Sequence, residues 1–124
     1  MIEQVLLGLW LFSGLIYQNN PMPLPNPKLK IYFEFKNLGI DTLRYYREDE
    51  QGFCERKATY NFSGSKLTQT IYWVNPENAN WCNDDPDMRL NQKSTSEAWL
   101  RQDKFYLVLP FGEENITYVW DRVY

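Results

Sequence analysis

The stretch Gly8-Leu9-Trp10-Leu11-Phe12 decides the fold that this sequence predicts. It opens an apolar run that extends to Tyr17 and is rich in the large side chains that suit a pleated, half-buried strand. The chain closes on a similar run, Ile116 to Val123, which carries Arg122. We therefore predict a first strand over residues 8–17 and a last strand over residues 116–123, and we expect these two strands to meet.

Between these ends, short alternating segments are separated by turn residues. From Leu29 to Phe35 every second residue is apolar, which is typical of a half-buried strand. Further strands are predicted over residues 42–47, 53–62, 66–74, 88–92, 96–101 and 104–110. Eight or nine consecutive strands without a long helix indicate one all-β domain over residues 1–124, an up-and-down antiparallel barrel whose closure removes the sheet edges. A two-sheet sandwich is the alternative.

The composition narrows the possible functions. The sequence contains no histidine, which excludes Ser-His-Asp and Cys-His catalysis and every zinc site that uses histidine. We predict a protein that is not an enzyme and that uses neither a metal nor a cofactor. A net charge of −3 argues against sequence-independent binding to nucleic acid. The longest apolar run is interrupted by Gly8, Ser13 and Gly14, so no membrane span is expected.

The two cysteines, Cys54 and Cys82, have two interpretations. They form a disulfide, or they are unrelated buried thiols. A disulfide would close a loop of about 29 residues and contribute about 3.5 kcal/mol in the chain-entropy model. It would suit a secreted or periplasmic protein, and we expect that location, with the export signal absent from this sequence.

Two segments are expected to lie beside the barrel. Residues 1–7 could form a short helical turn that caps one end. The connection after the first strand, from Gln18 to Pro27, has a proline at every second position from Pro21 onward. Prolines at this spacing exclude a helix or a central strand, so the segment is either a lid across a barrel mouth or a stiff surface connection.

The Gly8-Leu9-Trp10 motif resembles the Gly-x-Trp signature in the first strand of lipocalins, a calycin-type family of small antiparallel barrels. In that family an arginine near the end of the chain packs across the tryptophan, and Arg122 stands where it would be expected. The resemblance implies a structural role for Gly8, Trp10 and Arg122, since a guanidinium on an indole contributes roughly 0.5–2 kcal/mol. It also implies an eight-stranded barrel that is often exported and carries a small hydrophobic molecule. The family's mid-chain Thr-Asp-Tyr-like motif and its C-terminal helix have no counterpart.

The middle strands carry arginine and aromatic side chains that could line a cavity. If Arg44 or Arg56 points inward beside tyrosines, the cavity would suit an amphipathic anion such as a fatty acid, with its head group on the guanidinium. Otherwise the arginines face solvent and the aromatic side chains fill the core. Alternation puts Trp73 on the same face as Ile71. The candidate ligand-binding residues are Phe33, Arg44, Tyr46, Arg56, Tyr60, Tyr72, Trp73 and Tyr106.

Two functions of different class follow. The first is binding or transport of a small hydrophobic, amphipathic or fatty-acid-like ligand in the barrel. The ligand would lie at the end opposite Trp10, under the Pro21–Pro27 loop. The second is a non-enzymatic structural or interaction module with a solidly packed barrel. In either case we expect a monomer or a weak homodimer.

Overall fold

The computed structural model describes residues 6–124, and the helical turn predicted over residues 1–7 lies largely outside them. The strands are β1 (Gly8–Tyr17), β2 (Asn20–Met22), β3 (Leu29–Lys36), β4 (Ile40–Arg47), β5 (Cys54–Ser63), β6 (Lys66–Val74), β7 (Lys93–Arg101), β8 (Lys104–Phe111) and β9 (Glu114–Arg122). Short 3-10 turns span Asn37–Gly39, Asn80–Asp84 and Pro86–Met88. Within the described part of the chain, no helix is long and apolar enough to cross a membrane.

The strands form one antiparallel sheet that closes on itself. From β3 to β9 each strand pairs with its successor, and β1 pairs with both β2 and β3. The closing ladder joins β1 to β9, from Trp10 opposite Arg122 to Ile16 opposite Thr117. The predicted barrel and the predicted meeting of the two chain ends are therefore confirmed, and the sandwich alternative is wrong. Eight strands form the barrel, and β2 is an additional edge strand.

Two β-bulges change which side chains face the interior. In β1 the register shifts between Phe12 and Gly14, so one extra residue lies between two inward-facing sets. In β6, Ile71 lies opposite Ala58 and Trp73 lies opposite Lys57. The extra residue reverses the alternation, so the prediction that Trp73 shares a face with Ile71 is wrong. Trp73 instead packs on the outer surface, where the ammonium of Lys57 lies 5.1 Å from its ring centroid.

Residues 75–92 differ most from the sequence prediction. The strand predicted over residues 88–92 does not form. Pro86 opens a short 3-10 turn there, and the Asp85 carboxylate accepts a hydrogen bond from the backbone N–H of Asp87 at 2.9 Å. β7 starts at Lys93, three residues before the predicted start. The ninth strand is β2 instead, where an edge position tolerates Pro21.

One end of the barrel is filled by large side chains, and we call it the sealed end. Trp10, Phe35 and Phe105 are buried there, and the Trp10 and Phe105 ring centroids are 5.8 Å apart. The indole Nε1 of Trp10 donates to the carbonyl oxygen of Leu6 at 2.9 Å. Arg122 lies across Trp10, with its Cζ atom 4.3 Å from the ring centroid, and donates to the Leu7 carbonyl oxygen.

Gly8 is the position that allows this closure. Its φ of +134° is a backbone conformation that residues other than glycine rarely adopt. A Cβ atom added there would lie 2.3 Å from the carbonyl oxygen of Tyr124. The same Tyr124 oxygen accepts a hydrogen bond from Leu9 N at 3.0 Å. Only glycine lets the first strand approach the end of the chain this closely.

Candidate ligand-binding cavity

The opposite end, which we call the open end, contains a cavity of about 630 Å³. It lies where β3 begins at Leu29, β4 ends at Arg47 and β7 begins at Lys93. A volume of this size is within the range of small-molecule sites. Its apolar and aromatic lining comprises Leu29, Ile31, Phe33, Leu43, Tyr45, Leu107, Leu109, Tyr118 and Trp120.

Strand alternation explains this lining. On β3, Leu29, Ile31 and Phe33 are alternate residues that share the inner face, as the sequence pattern predicts. On β4, the same period of two brings Leu43 and Tyr45 inward. Side chains from seven strands thus converge on one space without filling it.

An ion pair lies at the floor of the cavity. Arg56 is 4% exposed and lines the cavity, while Asp41, one pleat deeper on β4, is 0% exposed. One Asp41 oxygen accepts a hydrogen bond from the Arg56 guanidinium, and the other accepts one from Gln69 Nε2 at 2.9 Å. Burial raises the pKa of Asp41, whereas Arg56 and Gln69 act to lower it. Both carboxylate oxygens therefore already have partners within the protein.

Arg56 keeps an unused donor. Its Nε atom is buried and has no hydrogen-bond partner within the described chain. Its Cζ atom lies 5.4 Å from the centroid of the Phe33 ring, so one side of the guanidinium rests on an aromatic wall. A buried unpartnered donor is uncommon in folded proteins and calls for an explanation. Because no water-sized molecule reaches this nitrogen, a ligand would have to bind to the other nitrogens of the guanidinium.

The mouth of the cavity is acidic. Asp85 and Asp87 both line it, and the Tyr45 hydroxyl donates a hydrogen bond to Asp85. Burial, and then the Asp85 carboxylate, raise the pKa of Asp87. Burial, followed by Asp85, also raises the pKa of Tyr45, so this phenol stays a donor at neutral pH.

The predicted disulfide holds this mouth in place. Cys54 at the start of β5 is bonded to Cys82 in the 3-10 turn Asn80–Asp84, which confirms that prediction. Backbone hydrogen bonds support the same attachment: Ala79 N donates to Phe53 O and Asn75 N donates to Glu55 O, both at 3.1 Å. The acidic loop is thereby fixed to the start of β5.

The cavity also has a lateral side, between β7 and β8. The two strands pair only from Ala98 opposite Leu107 to Arg101 opposite Lys104. The consecutive residues 94–96 all line the cavity, although neighbours in a strand face opposite sides. The edge of β7 must therefore border the cavity. Pro110 lines it from β8, and a proline suits an unpaired edge because it has no N–H to leave unsatisfied.

Of the eight candidate ligand-binding residues, Phe33 and Arg56 line the cavity. Tyr60 belongs to the sealed end. Its ring centroid is 5.0 Å from that of Phe35, and its hydroxyl donates to the Lys36 carbonyl oxygen at 3.2 Å.

The structure does not bring the other five candidates to the cavity. Their names and positions are Arg44 and Tyr46 on β4, Tyr72 and Trp73 on β6, and Tyr106 on β8. Arg44 faces outward between its inward neighbours Leu43 and Tyr45, and lies 3.6 Å from Glu55. Tyr106 stacks on Trp99 with 5.3 Å between the ring centroids. Strand alternation directs the β4 and β8 side chains outward, and the bulge in β6 directs Trp73 outward.

Sequence reasoning missed several residues that line the cavity or contact its floor. Continuing the β4 alternation back and forward from Leu43 would have placed Asp41 and Tyr45 inward. Gln69 stood on the apolar face of its strand, where a polar residue signals a buried hydrogen-bonding role. Asp85 and Asp87 carried no signal, because only the disulfide and the 3-10 turns bring them to the mouth.

The proline-rich connection does not border the cavity. No residue between 18 and 27 is part of the lining, and Leu24 packs against the core. The arrangement fits the stiff connection better than the lid, and it does not place a ligand under the Pro21–Pro27 loop.

Comparison with known proteins agrees with this architecture. No known family profile matches the sequence, and no curated protein matches it significantly. A lipocalin-like protein from Bacteroides uniformis has a similar structure, with a TM-score of 0.61 and 15% identity over 95% of this chain and 98% of that one. An uncharacterized protein from Bacteroides eggerthii gives a TM-score of 0.57 and 12% identity over 94% and 98% of the two chains. The fold is therefore that of a lipocalin-like barrel, which confirms the fold that the Gly8-Leu9-Trp10 motif predicted.

Proposed function

We propose that this protein binds a small hydrophobic or amphipathic molecule in the cavity at the open end. The cavity of about 630 Å³, with its largely apolar and aromatic lining, is the observation that carries the proposal. An eight-stranded barrel is just wide enough to be filled by side chains or to hold one small ligand. Here the sealed end is filled and the open end is not. Burial of an apolar ligand would supply the binding free energy at roughly 25 cal/mol per Å² of apolar surface.

The alternative, a solidly packed structural module, fits less well. Such a barrel would carry large side chains at the inward positions of β7, where residues 94 and 96 are serines. Small polar residues at these positions leave space that a packed core would have used.

We further propose that the protein acts by binding alone and that it works outside the cytoplasm. Support for the first point is the lack of histidine in the sequence. Support for the second is the disulfide between Cys54 and Cys82, a bond that persists in oxidising compartments.

Native mass spectrometry tests the binding proposal. The purified protein is incubated with a mixture of decane, decanol and decanoic acid. We expect a one-to-one adduct that denaturation removes. The variant Leu109→Trp should weaken the adduct about tenfold or more, because the indole would occupy the cavity. The matched control Val108→Trp adds the same side chain one residue away, on the outer face. The proposal is wrong if no adduct forms or if both variants bind equally well.

A further inference from the structure

The ion pair at the cavity floor restricts the charge of a ligand. Arg56 is the charged side chain that lines the floor of the cavity, and Asp41 directly contacts it. A guanidinium remains protonated at any physiological pH, and a carboxylate against it in a buried site neutralises its charge. Gln69 secures the second Asp41 oxygen at 2.9 Å, so the carboxylate stays on Arg56.

The other charges around the cavity do not restore a positive potential. Arg47 lines the mouth but lies 3.6 Å from Glu50. Asp85 and Asp87 are the remaining charged side chains in the lining. The side chains that line or contact this cavity thus carry two positive charges, those of the two arginines. Three carboxylates, Asp41, Asp85 and Asp87, oppose them even without Glu50. An anionic head group would therefore enter a site that is already negative on balance.

The floor nevertheless offers a hydrogen bond. Arginine has five N–H donors, and the bond to Asp41 uses one terminal nitrogen of Arg56, whose side chain lines the cavity. A neutral acceptor oxygen can accept such a bond without adding charge. A carboxylate that accepts it brings a second negative charge to a guanidinium that Asp41 already neutralises.

We propose, on the basis of the binding function above, that the cavity selects an uncharged hydrophobic molecule with an acceptor oxygen, such as a long-chain alcohol or ester, over the corresponding carboxylate. The acceptor end lies against Arg56, and the apolar body lies along Phe33, Leu43 and Leu107. This differs from the expectation that an inward arginine binds the head group of a fatty acid. The difference arises because Asp41 already neutralises that arginine.

Three ligands with one chain length test this selection. Dissociation constants for decanol, decanoic acid and decane are measured at pH 7.5 by competition with a fluorescent hydrophobic probe. We expect decanol to bind about tenfold more tightly than decanoic acid, and more tightly than decane. If decanoic acid binds as tightly as decanol or more tightly, the inference is wrong while the binding function stands. If none of the three ligands binds, the binding function fails and the inference fails with it.

The variant Asp41→Asn removes the negative charge that is paired with Arg56. It leaves Arg56 without a counter-charge, so affinity for decanoic acid should rise about tenfold while affinity for decanol changes little. The control Arg44→Gln removes a neighbouring arginine that faces outward, and should leave both affinities as they are. Unchanged affinity for decanoic acid in a folded Asp41→Asn protein would overturn the inference. The ligand order in the unaltered protein decides the question if that variant does not fold.

Discussion

The two ends of this barrel are built from the same eight strands and differ in what fills them. At the sealed end, Trp10, Phe35 and Phe105 pack together, and Arg122 covers the tryptophan. The backbone also closes there, with Leu9 and the last residues exchanging hydrogen bonds of 2.7 and 3.0 Å. At the open end, inward positions hold smaller or polar side chains around a cavity.

This difference separates stability from binding within one sheet. A buried aromatic cluster has no room for a ligand, but its loss removes many contacts and leaves a void. A residue that lines an existing cavity contributes less to folding, because it has no packing partners on the side that faces the cavity. Substitutions at the sealed end should therefore change unfolding, and substitutions at the open end should change affinity.

The largest effect is expected for Trp10→Ala. It removes a fully buried indole, and we expect a loss of about 3–5 kcal/mol in the free energy of unfolding. The matched substitution at the open end, Leu109→Ala, should cost about 1 kcal/mol, because that side chain already faces the cavity. Chemical denaturation measured by far-ultraviolet circular dichroism gives both values. Equal losses at the two positions would contradict the proposed division between the ends.

Removal of the disulfide should have the next largest effect. The chain-entropy model gives about 3.5 kcal/mol for a loop of about 29 residues. The double variant Cys54→Ala/Cys82→Ala should therefore unfold at a lower denaturant concentration, and should also bind ligand less tightly because the mouth loop is freed from β5. Reduction of the unaltered protein with dithiothreitol is the control. A double variant with unchanged stability would refute this contribution.

A smaller, pH-dependent effect is expected at Asp87. Burial and the Asp85 carboxylate raise its pKa above the usual 3.8, so ionisation of Asp87 weakens the folded state. Its stabilising contribution is complete below the unfolded pKa and is lost as pH rises through the folded pKa. Asp87→Asn should therefore stabilise the protein at pH 7, by less than about 1 kcal/mol, because solvent still reaches the Asp87 side chain at the mouth of the cavity and screens its charge. Below about pH 3 the variant and the parent should melt alike, since Asp87 is then neutral. A stabilisation that persists there would point to another cause.

The smallest effect is expected on the outer face. Tyr106→Ala removes a ring that stacks on Trp99 outside the barrel, and ligand affinity should not change measurably. The same competition assay applies, with Leu109→Trp as the variant that does respond. A clear loss of affinity in Tyr106→Ala would place the site on the outer surface instead.

Local sequence patterns predicted the barrel correctly, because the features that form and close it can be read within single strands. The alternation from Leu29 to Phe35 and the glycine before Trp10 required no knowledge of distant residues. The bulge at Tyr72 could not be seen in this way. One extra residue in a ladder depends on the partner strand, and it turned Trp73 from the inner to the outer face.

The site was harder to predict than the fold. Arg44 and Tyr46 were chosen for their side-chain chemistry. Strand alternation from the inward-facing Leu43 already implied that both face outward. The strand predicted over residues 42–47 left out Asp41, the carboxylate that neutralises Arg56. Whether a barrel is filled or hollow depends on the sum of side-chain volumes inside it, and no single strand shows that sum.

Tryptophan fluorescence tests most directly whether the open end holds the ligand. Trp120 lines the cavity, while Trp99 stacks on Tyr106 outside the barrel. Titration with decanol should give a saturable change in emission that Trp120→Phe largely removes and Trp99→Phe retains. A change that survives in Trp120→Phe and disappears in Trp99→Phe would contradict the account, as would no saturable change at all.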